Sequence, residues 1–248
     1  AVGMAVIMIL KKRGHGISSI SNVLAGHSLG EYTALAASES LSIRDTSLLL
    51  KARGRAMQDS VPKGKGSMAA ILGLSINQVI NIITDFKLKE KVFPANDNAD
   101  GQVVISGLKS DVEESLEIFL KNGAKKALKI SVSAPFHCPL MNHAKDVIKE
   151  TLDGITLKVP LVPVLSNVTV QSTSSVNEIK DNLVNQVTEM VRWREIMVEL
   201  NSRGVSNFYE IGTGSVLSNL AKRSCPSFSR KSINNQSSVE DFLTSLET

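Results

Sequence analysis

Residues 22–30 read Asn22-Val23-Leu24-Ala25-Gly26-His27-Ser28-Leu29-Gly30 and run into Glu31-Tyr32. Residues 22–25 have the short apolar run of a buried strand, and a helix is expected to begin near Glu31. Between them Gly26 to Gly30 fit G-x-S-x-G, and a strand before with a helix after is the context in which this pattern forms a nucleophile elbow. The glycines permit a tight, strained turn that pushes the Ser28 hydroxyl outward. The same turn leaves the Leu29 N–H at a helix N-terminus, where it can stabilise an oxyanion. Without those flanking elements the five residues would read as a plain turn.

Working outward, residues 1–12 read as a buried helix. Ser42 and Asp45 form an S-x-x-D start to a longer helix through Leu48, Leu49, Ala52, Ala56 and Met57, which Pro62 and a glycine-rich stretch end. The pattern then changes. Residues 68–72 are strand-like, and Ser75-Ile76-Asn77-Gln78 is a capping box that opens a helix to about Phe86. Strands are predicted over 92–95 and 102–106, with the turn-rich residues 96–101 as their hairpin connection. Ser110 to Glu113 predict the cap of a second helix, which stops at Asn122-Gly123 ahead of a strand over 127–132. That order is βαββαβ, the ferredoxin-like arrangement. Beyond it come a helix from Pro139, a strand over 162–165, helices over 176–190 and 193–203, and a strand over 207–211. The expected fold is therefore α/β. A hydrolase-like large domain with a mostly parallel sheet, residues 1–63 and 131–248, is interrupted by a ferredoxin-like small domain over residues 64–130.

With 248 residues, 42% of them hydrophobic, the chain can bury a sizeable core. A net charge of only +4, without a dense basic run carrying aromatics, argues against a nucleic-acid groove, although a mild basic excess suits an acidic protein partner. The two cysteines, Cys138 and Cys225, lack metal-ligand spacing and are too few for a disulfide framework, so no metal and a cytoplasmic, reducing location are expected. The apolar residues 1–10 are too short to span a bilayer, and Lys11, Lys12 and Arg13 follow them instead of preceding them, so neither membrane insertion nor a signal peptide is expected.

A nucleophilic serine needs a base, and the chain offers His15, His27, His137 and His143. His15 lies between glycines in a basic loop, His27 adjoins the nucleophile with its side chain directed elsewhere, and His143 falls in a helix. His137 follows Ser133-Ala134-Pro135-Phe136 off a strand end, where parallel-sheet enzymes collect active-site groups. The residues favour His137 without excluding the others. Arg53, read by periodicity alone, is an exposed helix arginine like Arg55.

Gly26-His27-Ser28-Leu29-Gly30-Glu31-Tyr32 resembles the elbow of malonyl-CoA:acyl carrier protein transacylases and of the acyltransferase domains of fatty acid and polyketide synthases. Further motifs follow in family order: Arg53-Gly54 with Met57, Ala95 to Asn98 with Gln102 to Gly107, Ala134 to His137, Val191-Arg192-Trp193, and Glu210 to Gly214. The resemblance covers nearly the whole chain, with Thr213 standing where the family commonly has proline. It implies Ser28 as nucleophile, His137 as base, and the backbone carbonyl at Gln186 as the group that orients the histidine. It also implies the Leu29 N–H as an oxyanion donor, Arg53 as the grip on the malonyl carboxylate, and His27, Met57 and Phe136 around the substrate pocket. Phe136 matches the malonyl-type pattern, in which a bulky ring leaves little room for an α-methyl group.

The resemblance further implies malonyl-CoA and acyl carrier protein as partners, with a coenzyme A thioester as substrate; no bound cofactor is expected, and a monomer is the expectation for assembly, which sequence alone does not fix. Family members begin with a strand and a glutamine-bearing loop that helps form the oxyanion site, and residue 1 falls after that point. The expectation is therefore that the natural protein is longer, or that this is a weakly active or inactive relative, since one lost oxyanion donor costs ~10²–10³ in turnover. Two other readings stay open: a thioesterase or esterase of α/β-hydrolase type, and a non-catalytic carrier-protein-binding relative.

Overall fold

The computed structural model describes residues 1–247. The chain opens with α1 (Val2–Lys12), the short α2 (Ile17–Ile20), β1 (Leu24–Ala25), α3 (Leu29–Ala37) and α4 (Ile43–Asp59). A second group follows: β2 (Gly66–Leu72), α5 (Ile76–Asp85), β3 (Val92–Ala99), β4 (Gln102–Leu108), α6 (Lys109–Lys121) and β5 (Lys126–Ile130). A 3-10 turn at Pro139–Met141 leads into α7 (Asn142–Asp153), β6 (Val164–Leu165), α8 (Val176–Gln186), α9 (Trp193–Ser202) and β7 (Asn207–Ile211). Three elements that the sequence reading left unassigned complete the chain: α10 (Val216–Ser224), β8 (Ser229–Ile233) and α11 (Gln236–Glu247).

Local chemistry sets some of the helix starts. The Ser42 side chain accepts a hydrogen bond from the Asp45 N–H, and Ser75 with Gln78 closes a reciprocal capping box. The expected Ser110 cap does not form. Helix α6 begins at Lys109 directly off β4, with Leu108 at the cap position and no side-chain hydrogen bond there.

Residues 66–130 form a four-stranded antiparallel sheet in the order β3-β4-β2-β5, the ferredoxin-like order. Helices α5 and α6 lie on one face, where Val79, Ile83 and Phe119 bury against Ile71, Val103 and Ile105. The opposite face presents Met68, Ala95 and Val104, with Ile130 and Phe136 packed on them. The sheet therefore uses both faces: one holds its helices, and the other meets the loop that carries His137.

The stretch 96–101 corrects the sequence reading. Only Asp100 and Gly101 turn; Asn96 to Ala99 continue β3, with register shifts after Pro94 and after Asp97. These turn-prone residues stay extended because partners in the rest of the molecule satisfy them. Asn96 bridges Val191 in parallel, the Asp97 N–H donates to the Val191 carbonyl at 2.9 Å, and Arg194 Nε donates to Asp97 Oδ2 at 2.9 Å.

Elsewhere the strands are parallel, as expected, but do not merge into one sheet among the described residues. They make two separate pairs, β1 with β6 and β7 with β8. A cleft of about 1120 Å³ is lined by β1 and β7, including Leu24, Ala25, Phe208 and Ile211, and it extends to His27 and Leu29 of the elbow. Helices α3, α4, α7 and α8 pack around Tyr32, Leu35, Leu49, Ile148 and Leu183, which carries the elbow helix on a continuous core. No helix among the described residues is long and apolar enough to cross a membrane.

Burial raises the Asp97 carboxyl above its ordinary range, and Arg194 opposes that rise. Arg194→Met leaves the carboxylate buried without a cation and is expected to cost roughly 3 kcal/mol of stability at neutral pH. The loss should shrink at acid pH, because a carboxyl raised by burial takes up a proton more readily. Urea denaturation at the two pH values checks this, and equal losses would contradict it.

Candidate active site

Ser28 occupies a backbone position with φ 53° and ψ −109°, a conformation that favours glycine and costs a serine about 1–3 kcal/mol. Three contacts hold it there. The Ser28 N–H donates to Asn167 Oδ1 at 2.7 Å, Asn167 Nδ2 donates to the Gly26 carbonyl at 2.8 Å, and the Asn167 N–H donates to Glu31 Oε2 at 3.1 Å. One buried asparagine just after β6 therefore pins both sides of the turn. Of the two motif glycines, Gly26 is the one demanded by space: a Cβ there would lie 2.0 Å from the Gly30 backbone, whereas one on Gly30 meets nothing within 4 Å.

The turn presents the Ser28 hydroxyl to His137, with Oγ 2.8 Å from Nε2. On the other side of the ring Nδ1 is 2.8 Å from the Gln186 carbonyl oxygen. A carbonyl only accepts, so Nδ1 carries the proton and Nε2 has the free lone pair that receives the Ser28 hydroxyl. Burial, with the Arg53 charge second, pushes the imidazole down to about 3, so it is neutral at ordinary pH. The ring is held by a carbonyl, with no carboxylate in that role.

Arg53 completes the group. It is 7% exposed, so the periodicity reading of a solvent-facing helix arginine is wrong. Its Nη2 donates to Ser28 Oγ at 2.8 Å and to Gln186 Oε1 at 3.2 Å, and its guanidinium lies 5.6 Å from the Tyr32 ring centre. No carboxylate among the described residues comes within ion-pair distance of it, and its buried Nε has no partner there. Burial lowers its pKa, the direction expected of a cation held in the interior.

Leu29 is 57% exposed, and its N–H, the first of α3, has no hydrogen-bond partner among the described residues. His27 points away from the nucleophile: its Nε2 meets Asn98 Oδ1 at 2.8 Å and its ring tilts against Trp193. That contact ties the elbow to β3. Phe136 is half-buried beside His137 and packs on Ala95 and Val104. Met57, expected at the pocket, is enclosed in the core one helical turn beyond Arg53. His143 is on the surface, His15 is in the loop after α1, and Cys138 is buried. No cluster of metal-ligating side chains exists among the described residues.

Sequence reasoning missed Asn167 and Glu31, whose roles depend on partners more than a hundred residues away. It also assigned Gln186 a backbone role only, whereas the side chain bonds to Arg53, to the Ser28 carbonyl and to Glu31.

Two outcomes follow from this geometry. Gly26→Ala forces a methyl group into the Gly30 backbone and is expected to lower the melting temperature sharply, whereas Gly30→Ala leaves it near that of the native protein. The depressed His137 pKa means that the unfolded chain binds more protons between pH 6.5 and about 3. Stability should therefore be lost as pH falls through that window, and His137→Gln should remove most of that loss in melts across the same range.

Comparison with known proteins bears on the family and the fold. Residues 1–242 match the model of the acyl transferase domain family. The malonyl CoA-acyl carrier protein transacylase of Haemophilus influenzae is 40% identical over 224 residues, 89% of this chain and 72% of that protein. The Bacillus subtilis protein of that name is 43% identical over 201 residues, 80% of this chain and 63% of its own length. Among solved structures, the acyl-carrier-protein-S-malonyltransferase of Bartonella henselae superposes with a TM-score of 0.95 at 40% identity, covering 100% of this chain and 79% of that one. A malonyl-transacylase in complex with its type II PKS acyl-carrier protein gives 0.92 at 36% identity, covering 99% and 78%. The alignment is nearly end to end on this side and the same fold recurs, so the chain belongs to the acyl transferase domain family.

Proposed function

We propose that the chain moves a malonyl group from malonyl-CoA to the phosphopantetheine thiol of acyl carrier protein, in fatty acid biosynthesis, through an ester on Ser28. The observation that carries this reading is Arg53: a buried guanidinium without an ion-pair partner among the described residues, 2.8 Å from the serine hydroxyl and beside a neutral imidazole. An unpaired buried cation is costly, and a planar carboxylate is the group it holds best.

In the first half-reaction His137 Nε2 takes the proton of Ser28, and Oγ attacks the thioester carbonyl. The oxyanion accepts from the Leu29 N–H. The C–S bond then breaks, and the protonated His137 returns the proton to the departing thiolate of coenzyme A. In the second half His137 takes the proton of the carrier thiol, and the sulfur attacks the ester. Ser28 Oγ leaves and recovers the proton. A malonyl carboxylate on Arg53 would offset the charge that depresses His137, so the matching substrate strengthens its own base. Acetyl thioesters lack that charge.

Within this reading the protein works in the cytoplasm as a monomer, binds no cofactor, and uses residues 64–130 as a small domain closing over the large one. Phe136 beside His137 restricts space at the α-carbon, and His27 steadies the elbow. An esterase of α/β-hydrolase type is disfavoured because a backbone carbonyl orients the histidine.

Incubation with malonyl-CoA is expected to give a malonyl adduct on Ser28 by intact mass, lost in Ser28→Ala and discharged by carrier protein faster than by water. Discharge to water alone would indicate a hydrolase, and no adduct a binding module. Arg53→Ala should reduce malonyl loading about 100-fold while changing acetyl loading far less. Equal losses for the two would refute the carboxylate grip.

A further inference from the structure

Glu31 is buried at the heart of this site, and the mechanism above gives it no task. Its carboxyl, three residues past the nucleophile on α3, is 3% exposed. Oε2 accepts from Gln186 Nε2 at 2.6 Å and from the Asn167 N–H at 3.1 Å. A charge in such a place is expensive unless something depends on it.

What depends on it is the Gln186 amide. That residue is 0% exposed at the end of α8 and touches every reacting group. Its backbone oxygen takes His137 Nδ1–H, its Oε1 takes Arg53 Nη2, and its Nε2 donates to the Ser28 carbonyl and to Glu31. The two ends of a primary amide are nearly the same size, so shape does not decide which end faces Arg53. Hydrogen bonding does. An ionised carboxylate only accepts, so Glu31, with the Ser28 carbonyl on the same Nε2, draws the NH₂ to its own side and turns the oxygen toward the guanidinium, which only donates.

We propose that Glu31 is a positioning residue for acyl transfer, acting through the Gln186 amide to hold Arg53 against Ser28. The inference rests on the reading of Arg53 as the carboxylate grip. Burial raises the Glu31 carboxyl to about 7, with the hydrogen bonds from Gln186 and Asn167 and the Arg53 charge working against that rise. The titratable groups around the site are Arg53 on α4, Tyr32 on α3, and His137 and His27 on their loops; both histidines have lowered pKa values and Tyr32 is raised to about 12. Glu31 is therefore the one among them that changes charge near neutrality. As pH falls through about 7 it takes a proton and can donate as well as accept, which weakens the keying of the amide and leaves the Ser28 carbonyl as the fixed acceptor for its NH₂.

The test compares native protein, Glu31→Gln and Gln186→Met for loading from malonyl-CoA and from acetyl-CoA between pH 5.5 and 8.5. Native malonyl loading is expected to rise through an inflection near pH 7. Glu31→Gln should lose that inflection and about tenfold in malonyl kcat/KM at pH 8, with acetyl loading changed less than threefold. Gln186→Met keeps the backbone carbonyl and should give the same selective loss, and the double variant should be no worse than the poorer single one, because both act on one contact. Glu31→Gln removes a buried charge, so its melting temperature should be at or above the native value. An unchanged profile in Glu31→Gln, or equal malonyl and acetyl losses with a lowered melting temperature, overturns the proposal. If native protein takes no malonyl group, the reading of function fails instead. The Glu31 proposal is then decided by Ser28 sulfonylation with phenylmethanesulfonyl fluoride, where the inflection near pH 7 must be present in native protein and missing in Glu31→Gln.

Discussion

The geometry of this site follows from one unpaired charge. Arg53 is a guanidinium in the interior with no carboxylate at ion-pair distance among the described residues, held by an amide oxygen, a hydroxyl and the face of Tyr32. Neutral partners replace only part of the hydration it has lost, so the site stays electrostatically incomplete. That deficit acts on its neighbours. It adds to burial in depressing His137, and it places a donor on the Ser28 hydroxyl oxygen. In the proposed reaction an arriving carboxylate would relieve both the depressed imidazole and the restrained serine.

Bringing these groups together requires three distant segments to agree within an ångström. The elbow comes from the β1–α3 turn, the imidazole from the loop after β5, and the carbonyl from the end of α8. Asn167 locks the first by bonding to both sides of the strained turn. The second depends on the ferredoxin-like sheet, since Phe136, next to His137, packs on that sheet's open face. The sheet is in turn fastened by β3, whose last residues pair with Val191, Arg194 and His27. Distance from the site therefore does not measure the importance of β3: if it shifted, the His137 ring would shift with it.

Much of this was legible in the sequence where the deciding chemistry was local. The caps at Ser42 and Ser75 formed as read because donor and acceptor are three residues apart. The elbow was legible for a similar reason, although only Gly26 proved sterically essential. Failures share one cause. Asn96 to Ala99 have turn propensity but are extended, because Val191, Arg194 and His27 supply partners that no window of sequence contains. Ser110 lost its cap to a helix that begins immediately at the end of β4. Arg53 and Arg55 look alike in a helical pattern, and only coordinates show one buried and the other exposed. Glu31 stood in plain view beside the motif, but its partners lie 136 and 155 residues away.

The buried polar groups are better understood as one network than as separate contributions. Glu31 and Arg53 carry opposite charges and do not touch; Gln186 stands between them, donating to one and accepting from the other. A direct ion pair would quench the guanidinium and leave nothing for a substrate to complete. An apolar spacer would leave two buried charges unsolvated, which costs several kcal/mol for each. An amide avoids both outcomes: it satisfies each charge with a hydrogen bond, polarises in the same sense as the pair, and leaves most of the guanidinium's donors open. The same residue offers its backbone oxygen to His137, so a single side chain and its own peptide group contact the imidazole, the guanidinium and the backbone of Ser28.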